Sequence, residues 1–388
     1  MRWSPFLIVL GLSTTVHGAD CSFVSQKELG LEIWEEINRA PYTCQKNNVH
    51  LTFDDGPSLT VTPGILKELK DRGIKASFFV TTTNLDPQNP NYKKMRSLVS
   101  QAMDEGHLIA DHGHEHNAYD LRMNKDLTIR EEGFTQEKRE EQIKKSVDYL
   151  NWSTQGRFSN QKPLLFRFPY GRGAMPSENE LKHMMDSGEI HLIGKTYGEQ
   201  LKEYRNISAP LQTIAGFNFS HLGWNHDSED SSHGVAMPEK SILKDYIKKN
   251  IKNLCGFPKG SKVALFHDIK EMNLNAIPII SDIGRCLGLK FIGAQEMVAD
   301  EQLTKSGVLI QKKDVLKGPV QSLLTGMEVV TKIDVNKCST SAVPDKSCWS
   351  EQYKKSYPHC SGGDSVCFEG KWYSRTDQVI QTNCNLKD

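Results

Sequence analysis

Five polar clusters in this chain carry the side chains that hydrolytic chemistry uses. Thr52-Phe53-Asp54-Asp55-Gly56-Pro57 pairs two adjacent carboxylates that project in different directions. One of them can ligate a metal while its neighbour faces a bound water as general base. Asp111-His112-Gly113-His114-Glu115-His116-Asn117 holds three histidines, and imidazole suits Zn²⁺ and similar borderline metals. Residues 112 and 116 can share a helical face and 112 and 114 a strand face, so spacing leaves the ligand pair open. Two histidines plus one carboxylate leave a coordination position free, the catalytic form of a zinc site. In Phe166-Arg167-Phe168-Pro169-Tyr170-Gly171, the arginine can fix a carboxylate and the following backbone can aim an N–H at a developing oxyanion. Trp224-Asn225-His226-Asp227-Ser228-Glu229-Asp230 and Val263-Ala264-Leu265-Phe266-His267-Asp268 complete the set. His267, leaving an apolar run, is placed to be partly desolvated, with a proton affinity set by a nearby carboxylate.

Each cluster follows a strand-like run, and this sets the requirement on the fold. Val49-His50-Leu51-Thr52-Phe53 alternates at period two and stops at Asp54-Asp55-Gly56-Pro57. Further strands are expected at 76–80, 108–111, 164–168, 191–194, 219–224, 262–266 and 289–293. Helices are expected around 92–104, 128–150, 177–186, 239–254 and 274–287, with Ile65, Leu66 and Leu69 forming one helical stripe before Gly73. Strands alternating with helices predict an α/β fold, a distorted parallel (β/α) barrel of about seven strands, whose chemistry belongs at the C-terminal strand ends. After Val298 the rhythm breaks into a connector or short β segment.

At 388 residues the chain exceeds what one core usually serves, so more than one domain is expected. Its 48 basic and 48 acidic residues cancel, which excludes a general attraction to nucleic acid or anionic lipid. Arg2, the apolar run from Phe6 to Leu12 and the small residues Val16 and Gly18 read as a secretory signal peptide, residues 1–18. No other stretch approaches the roughly 20 apolar residues that cross a bilayer, so no membrane insertion is expected after cleavage. Export, to a periplasmic or extracellular site, makes disulfides the natural reading of nine cysteines. Cys21, Cys44, Cys255 and Cys286 are scattered, whereas Cys338, Cys348, Cys360, Cys367 and Cys384 crowd into a tail too small to hold a core without staples.

In this order the five clusters resemble the NodB-homology polysaccharide deacetylases, a carbohydrate esterase family, over residues 48–300. The resemblance implies Asp54 as base, Asp55, His112 and His116 as ligands of one divalent ion (Zn²⁺, with Co²⁺ or another divalent ion as alternatives), and His114 as a bystander. It implies Arg167 as the residue orienting the base, the Tyr170 N–H as oxyanion donor, His267 as acid, and Leu265 in the acetyl pocket. Asp230 is expected to support both Arg167 and His267, with Asp227 second. Gly113 and Asn117 replace the family's Ser or Thr and Pro, which predicts a looser ligand loop. Ser231 replaces a groove tryptophan, and the long stretch from Gly173 to Trp224 predicts extra loops beside the groove. The implied activity is metal-dependent removal of N-acetyl groups from N-acetylglucosamine in a cell-wall polysaccharide, peptidoglycan first. Chitin or chitooligosaccharide is the alternative substrate, and a silent glycan-binding scaffold the alternative class. The expected organisation is 1–18 signal, 19–47 N-terminal segment, 48–300 deacetylase domain, and 301–388 linker plus cysteine-rich accessory domain. In that tail the run from Gly363 to Tyr373 resembles a chitin-binding segment, with Trp349, Trp372 and Tyr373 available to stack on sugars.

Overall fold

The computed structural model describes residue 21 and residues 28–39, 44–194, 196–256, 258–315, 365–368 and 371–374. The expected signal peptide and Trp349 lie outside the described residues. The main strands are β1 (Asn48–Asp54), β2 (Ser77–Val80), β3 (Leu108–Asp111), a small hairpin of β4 (Arg122–Met123) and β5 (Ile129–Glu131), β6 (Leu165–Phe166), β7 (Ser220–Leu222), β8 (His226–Asp227), β9 (Ser261–His267), β10 (Lys290–Phe291) and β11 (Leu309–Ile310). Helices α1 (Glu28–Arg39), α2 (Thr62–Asp71), α3 (Tyr92–Asp104), α4 (Gln136–Thr154), α5 (Arg157–Asn160), α6 (Glu178–Asp186), α7 (Tyr197–Ile207) and α8 (Ala209–Gly216) accompany the first half. After them come α9 (Lys240–Cys255), α10 (Asn273–Cys286), α11 (Ala294–Val298), α12 (Glu301–Lys305) and α13 (Lys312–Val315). In the tail, β12 (Ser365–Phe368) and β13 (Lys371–Ser374) pair antiparallel.

Nine strands form one sheet in the order β11-β7-β6-β3-β2-β1-β9-β8, with β10 also on β1. All pairings are parallel except that of β11 with β7. Only residues 223–225 separate β7 from β8, so one run of chain, 220–227, carries strands near both ends of this path and curls the sheet toward the expected barrel. β11 extends the sheet past residue 300.

Alternation along β1 decides what faces where. Val49, Leu51 and Phe53 join the outer core under the helices, together with Ala264 and Phe266 of β9. His50, Thr52 and Asp54 have the opposite parity and share the inner side with Val263, whose inner cluster includes Phe79, Ala110, Leu165 and Leu222. His50 is fully buried and satisfied by Ile292 O at 2.9 Å and Ser77 Oγ at 2.8 Å. The register then aligns the strand ends: Asp54 is the Cα partner of both Phe79 and His267, Val80 of Asp111, and Asp111 of Phe166.

Three local expectations are corrected. Residues 191–194 are not a strand; Ile193 is 86% exposed, and the run is too short to find a sheet edge. The helix expected at 128–150 runs from Gln136 to Thr154, because residues 122–131 form the hairpin and Thr135 caps the helix by accepting from Lys138 N. The long stretch before Trp224 contains α7 and α8; α7 opens on a capping box of Thr196 and Glu199. Two disulfides, Cys21–Cys286 and Cys44–Cys255, tie the N-terminal segment to α10 and α9.

Candidate functional site

Every cluster singled out in the sequence lies at the C-terminal end of the barrel strands. Asp55 follows β1 with φ of 73°, a left-handed conformation that turns its carboxylate away from that of Asp54. His112 and His116 leave β3, and their ligand atoms and a carboxylate oxygen of Asp55 all lie within 4.8 Å of one another. The Nε2 atoms are 3.4 Å and 3.0 Å from Asp55 Oδ1.

Proton bookkeeping shows what this trio wants. His112 Nδ1 donates to Arg167 O at 2.7 Å. His116 Nδ1 donates to the Tyr170 hydroxyl at 3.1 Å, and that hydroxyl donates to His116 O at 3.2 Å. Neutral rings so fixed direct bare Nε2 lone pairs at a carboxylate oxygen that is buried and has no hydrogen-bond partner. Three electron pairs converge, so the site calls for a cation. Burial opposes the Asp55 charge, yet with the two imidazoles protonated in place of a bound cation its carboxyl is held far below the usual range. Burial likewise pushes His112 down, but Asp54 and Asp55 outweigh it and raise its proton affinity. The donor set of two imidazoles and one carboxylate therefore fits a divalent ion and leaves coordination positions free. His114 lies outside the trio: it bonds Thr82 Oγ1 at 3.1 Å and stacks on Tyr149.

Asp54 Oδ1 is taken by Arg167 Nη1 at 2.7 Å, while Oδ2 faces the trio, 3.7 Å from His112 Nε2. Arg167 is fully buried and widely held: it also donates to Thr52 Oγ1, Leu222 O and Gly223 O, each at 2.9 Å, and packs on Phe79. On the other flank, His267 Nε2 lies 3.9 Å from Asp55 Oδ2. Burial would lower its proton affinity, but Asp230, 2.6 Å from Nδ1, raises it to about 9, helped by Asp55 and Asp54. Asp230 also accepts from His267 N and from Asn273 Nδ2. It makes no hydrogen bond or ion pair with Arg167 among the described residues, which corrects the expected double role: Arg167 is balanced by Asp54 directly, with the charge of Asp227, the second choice, adding to it, and Asp230 serves His267. Leu265 precedes His267 by two residues on the same face of β9 and is 5% exposed.

The ligand loop is held rather than loosened. Gly113 has φ of +84°, and a Cβ there would lie 2.8 Å from the Tyr119 hydroxyl. Its N–H goes to Asp111 Oδ1 at 2.7 Å, its carbonyl accepts from Thr82 N at 3.0 Å, and Glu115 N goes to Gln142 Oε1 at 2.8 Å. Thr52, Asp111, Gln142 and Asn273 therefore belong to the site's supporting layer. Thr52 and Asp111 open the first two motifs, whereas Gln142 and Asn273 come from helices and have no local signal. Tyr170, itself at φ of 61°, packs edge-on against His116 and lies beneath the Arg122 guanidinium at 3.4 Å.

Residues 42–185 match the Polysaccharide deacetylase family. That segment, which carries every residue from Asp54 to Tyr170, is a domain of this family. A peptidoglycan-N-acetylglucosamine deacetylase of Bacillus cereus is 34% identical over 142 residues, covering 37% of this chain and 41% of its own length. Another, from Listeria monocytogenes, is 38% identical over 81 residues, 21% of this chain and 16% of its own length. The chain thus spans less than half of each of these curated relatives. Among solved structures, a polysaccharide deacetylase from Bacillus cereus shares 23% identity with a TM-score of 0.42, covering 65% of this chain and 93% of that one.

Proposed function

We propose that this protein is an exported, metal-dependent deacetylase that hydrolyses the N-acetyl groups of N-acetylglucosamine residues in a cell-wall polysaccharide, peptidoglycan before chitin. The observation that carries the reading is the convergence of Asp55, His112 and His116 between a held carboxylate, Asp54, and a held imidazole, His267. A divalent ion bound by those three ligands, Zn²⁺ by donor type with Co²⁺ also suited, would supply a Lewis acid for the acetyl carbonyl.

The chain's own groups do the rest. Asp54, with Oδ1 locked to Arg167, uses Oδ2 to accept a proton from the attacking water. The Tyr170 N–H, presented by a left-handed turn, meets the charge that develops on the carbonyl oxygen. His267, protonated at neutral pH because of Asp230, donates to the departing amine. Leu265 offers the acetyl methyl an apolar wall. Peptidoglycan is preferred over chitin because the two relatives described above act on peptidoglycan N-acetylglucosamine by name. The expected organisation, with a deacetylase domain at 48–300 and an accessory tail, belongs to this proposal, as does the tail's binding of sugar.

The test is acetate release from purified peptidoglycan and from N-acetylglucosamine oligomers, before and after chelation and on adding Zn²⁺ back. Release that chelator abolishes and zinc restores is expected, with a loss of at least about 10²-fold in Asp54→Ala. Full release by Asp54→Ala would remove the base from its role. Polymer binding without any acetate would leave the scaffold reading.

A further inference from the structure

Trp152 is 57% exposed near the end of α4, and its open ring is backed by an unusual support. The Arg96 guanidinium carbon lies 3.0 Å from the Trp152 ring centre, 4.9 Å from that of Tyr92 and 5.5 Å from that of Tyr149. Arg96 is only 8% exposed and forms no ion pair with a carboxylate among the described residues; Nε and Nη2 both donate to Leu85 O, at 2.9 Å and 2.7 Å. A buried cation held by one carbonyl and three aromatic faces is a costly way to fill space, and its effect is to fix the rings as one rigid surface.

That surface is tied to the catalytic loops by two short routes. Leu85 ends the turn Thr82–Leu85, in which Asn84 Nδ2 donates to Asp55 O at 2.9 Å and to Gly56 O at 3.1 Å. The Tyr149 hydroxyl donates to Asp86 at 2.8 Å, and its ring stacks at 5.5 Å on His114, which sits between the two ligand histidines.

We propose that Trp152, with Tyr92 beside it and Arg96 and Tyr149 as its backing, forms a second carbohydrate subsite, the open indole face taking the apolar C–H face of a pyranose in the same glycan strand away from the residue being deacetylated. The inference rests on the polysaccharide reading above for its ligand class. Aromatic faces suit the flat C–H surface of a sugar ring. The charges select further: Arg96 below the rings and Lys93, 5.9 Å from the Tyr92 ring, outnumber Asp86, so a neutral acetylated sugar is favoured over the ammonium-bearing product.

The experiment uses the full chain with Trp152→Ala and Trp152→Phe, which are exposed helical substitutions. Two readouts are needed: kcat/KM for the N-acetylglucosamine hexamer and dimer, and calorimetric titration of the metal-stripped proteins with acetylated and fully deacetylated hexamer. Trp152→Ala should lower kcat/KM and affinity for the acetylated hexamer about three- to tenfold, with the dimer unchanged and Trp152→Phe recovering most of the loss. Wild type should bind the acetylated hexamer more tightly than the deacetylated one. Equal losses on dimer and hexamer, or unchanged hexamer affinity as expected if this face meets a protein, would overturn the proposal. If wild type releases no acetate from either oligomer, the deacetylase reading fails, and the titration still decides the subsite.

Discussion

Tyr170 uses both capacities of its hydroxyl on one histidine, accepting from His116 Nδ1 and donating to His116 O. Because a ligand's outer partner fixes its tautomer and orientation, Tyr170→Phe should weaken Zn²⁺ binding about tenfold, measured by competition with a chromophoric chelator. The phenylalanine keeps the ring and the backbone N–H, so an unchanged affinity would show that the hydroxyl is idle. For His267 the sign follows from its raised proton affinity: the acid form persists up to about pH 9, and activity that needs it falls as pH rises through that value. Burial alone would lower that value, so Asp230→Asn should move the alkaline limb of the rate profile downward, while an unmoved limb would assign it to another group. Arg167 and Asp54 form a fully enclosed pair, and Arg167→Met strands the carboxylate. A loss of about 3–5 kcal/mol in denaturant unfolding is expected.

Among the elements, the loop from β3 to the hairpin shows what sequence reading can and cannot supply. The choice of His112 and His116 as the pair that meets Asp55 is legible through the resemblance, but Gly113 looks like a loosening substitution in the sequence because Tyr119 becomes its neighbour only in three dimensions. Gly113→Ala forces a side chain into the left-handed region and against that hydroxyl, so it should cost about 1–3 kcal/mol in thermal unfolding and weaken metal binding together. A variant as stable as wild type would mean the loop can relax. β1 was legible from its alternation, and most strand positions from the turn clusters after them, whereas the full-length pairing of β1 with β9, about 210 residues apart, had no local trace. Asp230 was correctly placed beside His267 and wrongly beside Arg167, since motif order says nothing about which face of the turn a carboxylate takes.

For the whole molecule, the two disulfides close chain separations of 265 and 211 residues and clamp the N-terminal segment to α10 and α9. Nine cysteines suggest disulfides in an exported chain with at least one thiol left over, but the pairing needs the fold, because Cys44 and Cys255 meet only when the start of β1 lies beside the end of α9. Replacing both, Cys44→Ser with Cys255→Ala, should lower stability by about 4–5 kcal/mol, and reductant should shift the wild-type melting temperature down while leaving the double variant's response smaller. Equal responses of the two proteins would assign the effect to the other bridge.

The run from Ser220 to Asp230 touches both flanks of the proposed site. Near its start, Leu222 and Gly223 receive Arg167, which holds Asp54; at its end, Asp230 holds His267. Asp54 and His267 are already set side by side by the register of β1 with β9, and this short run braces both from behind. One residue inserted between Gly223 and Asp227 would shift the pairing of Asn225, His226 and Asp227 with β9 and pull the two braces out of step, so the proposed acetate release should fall in such a variant.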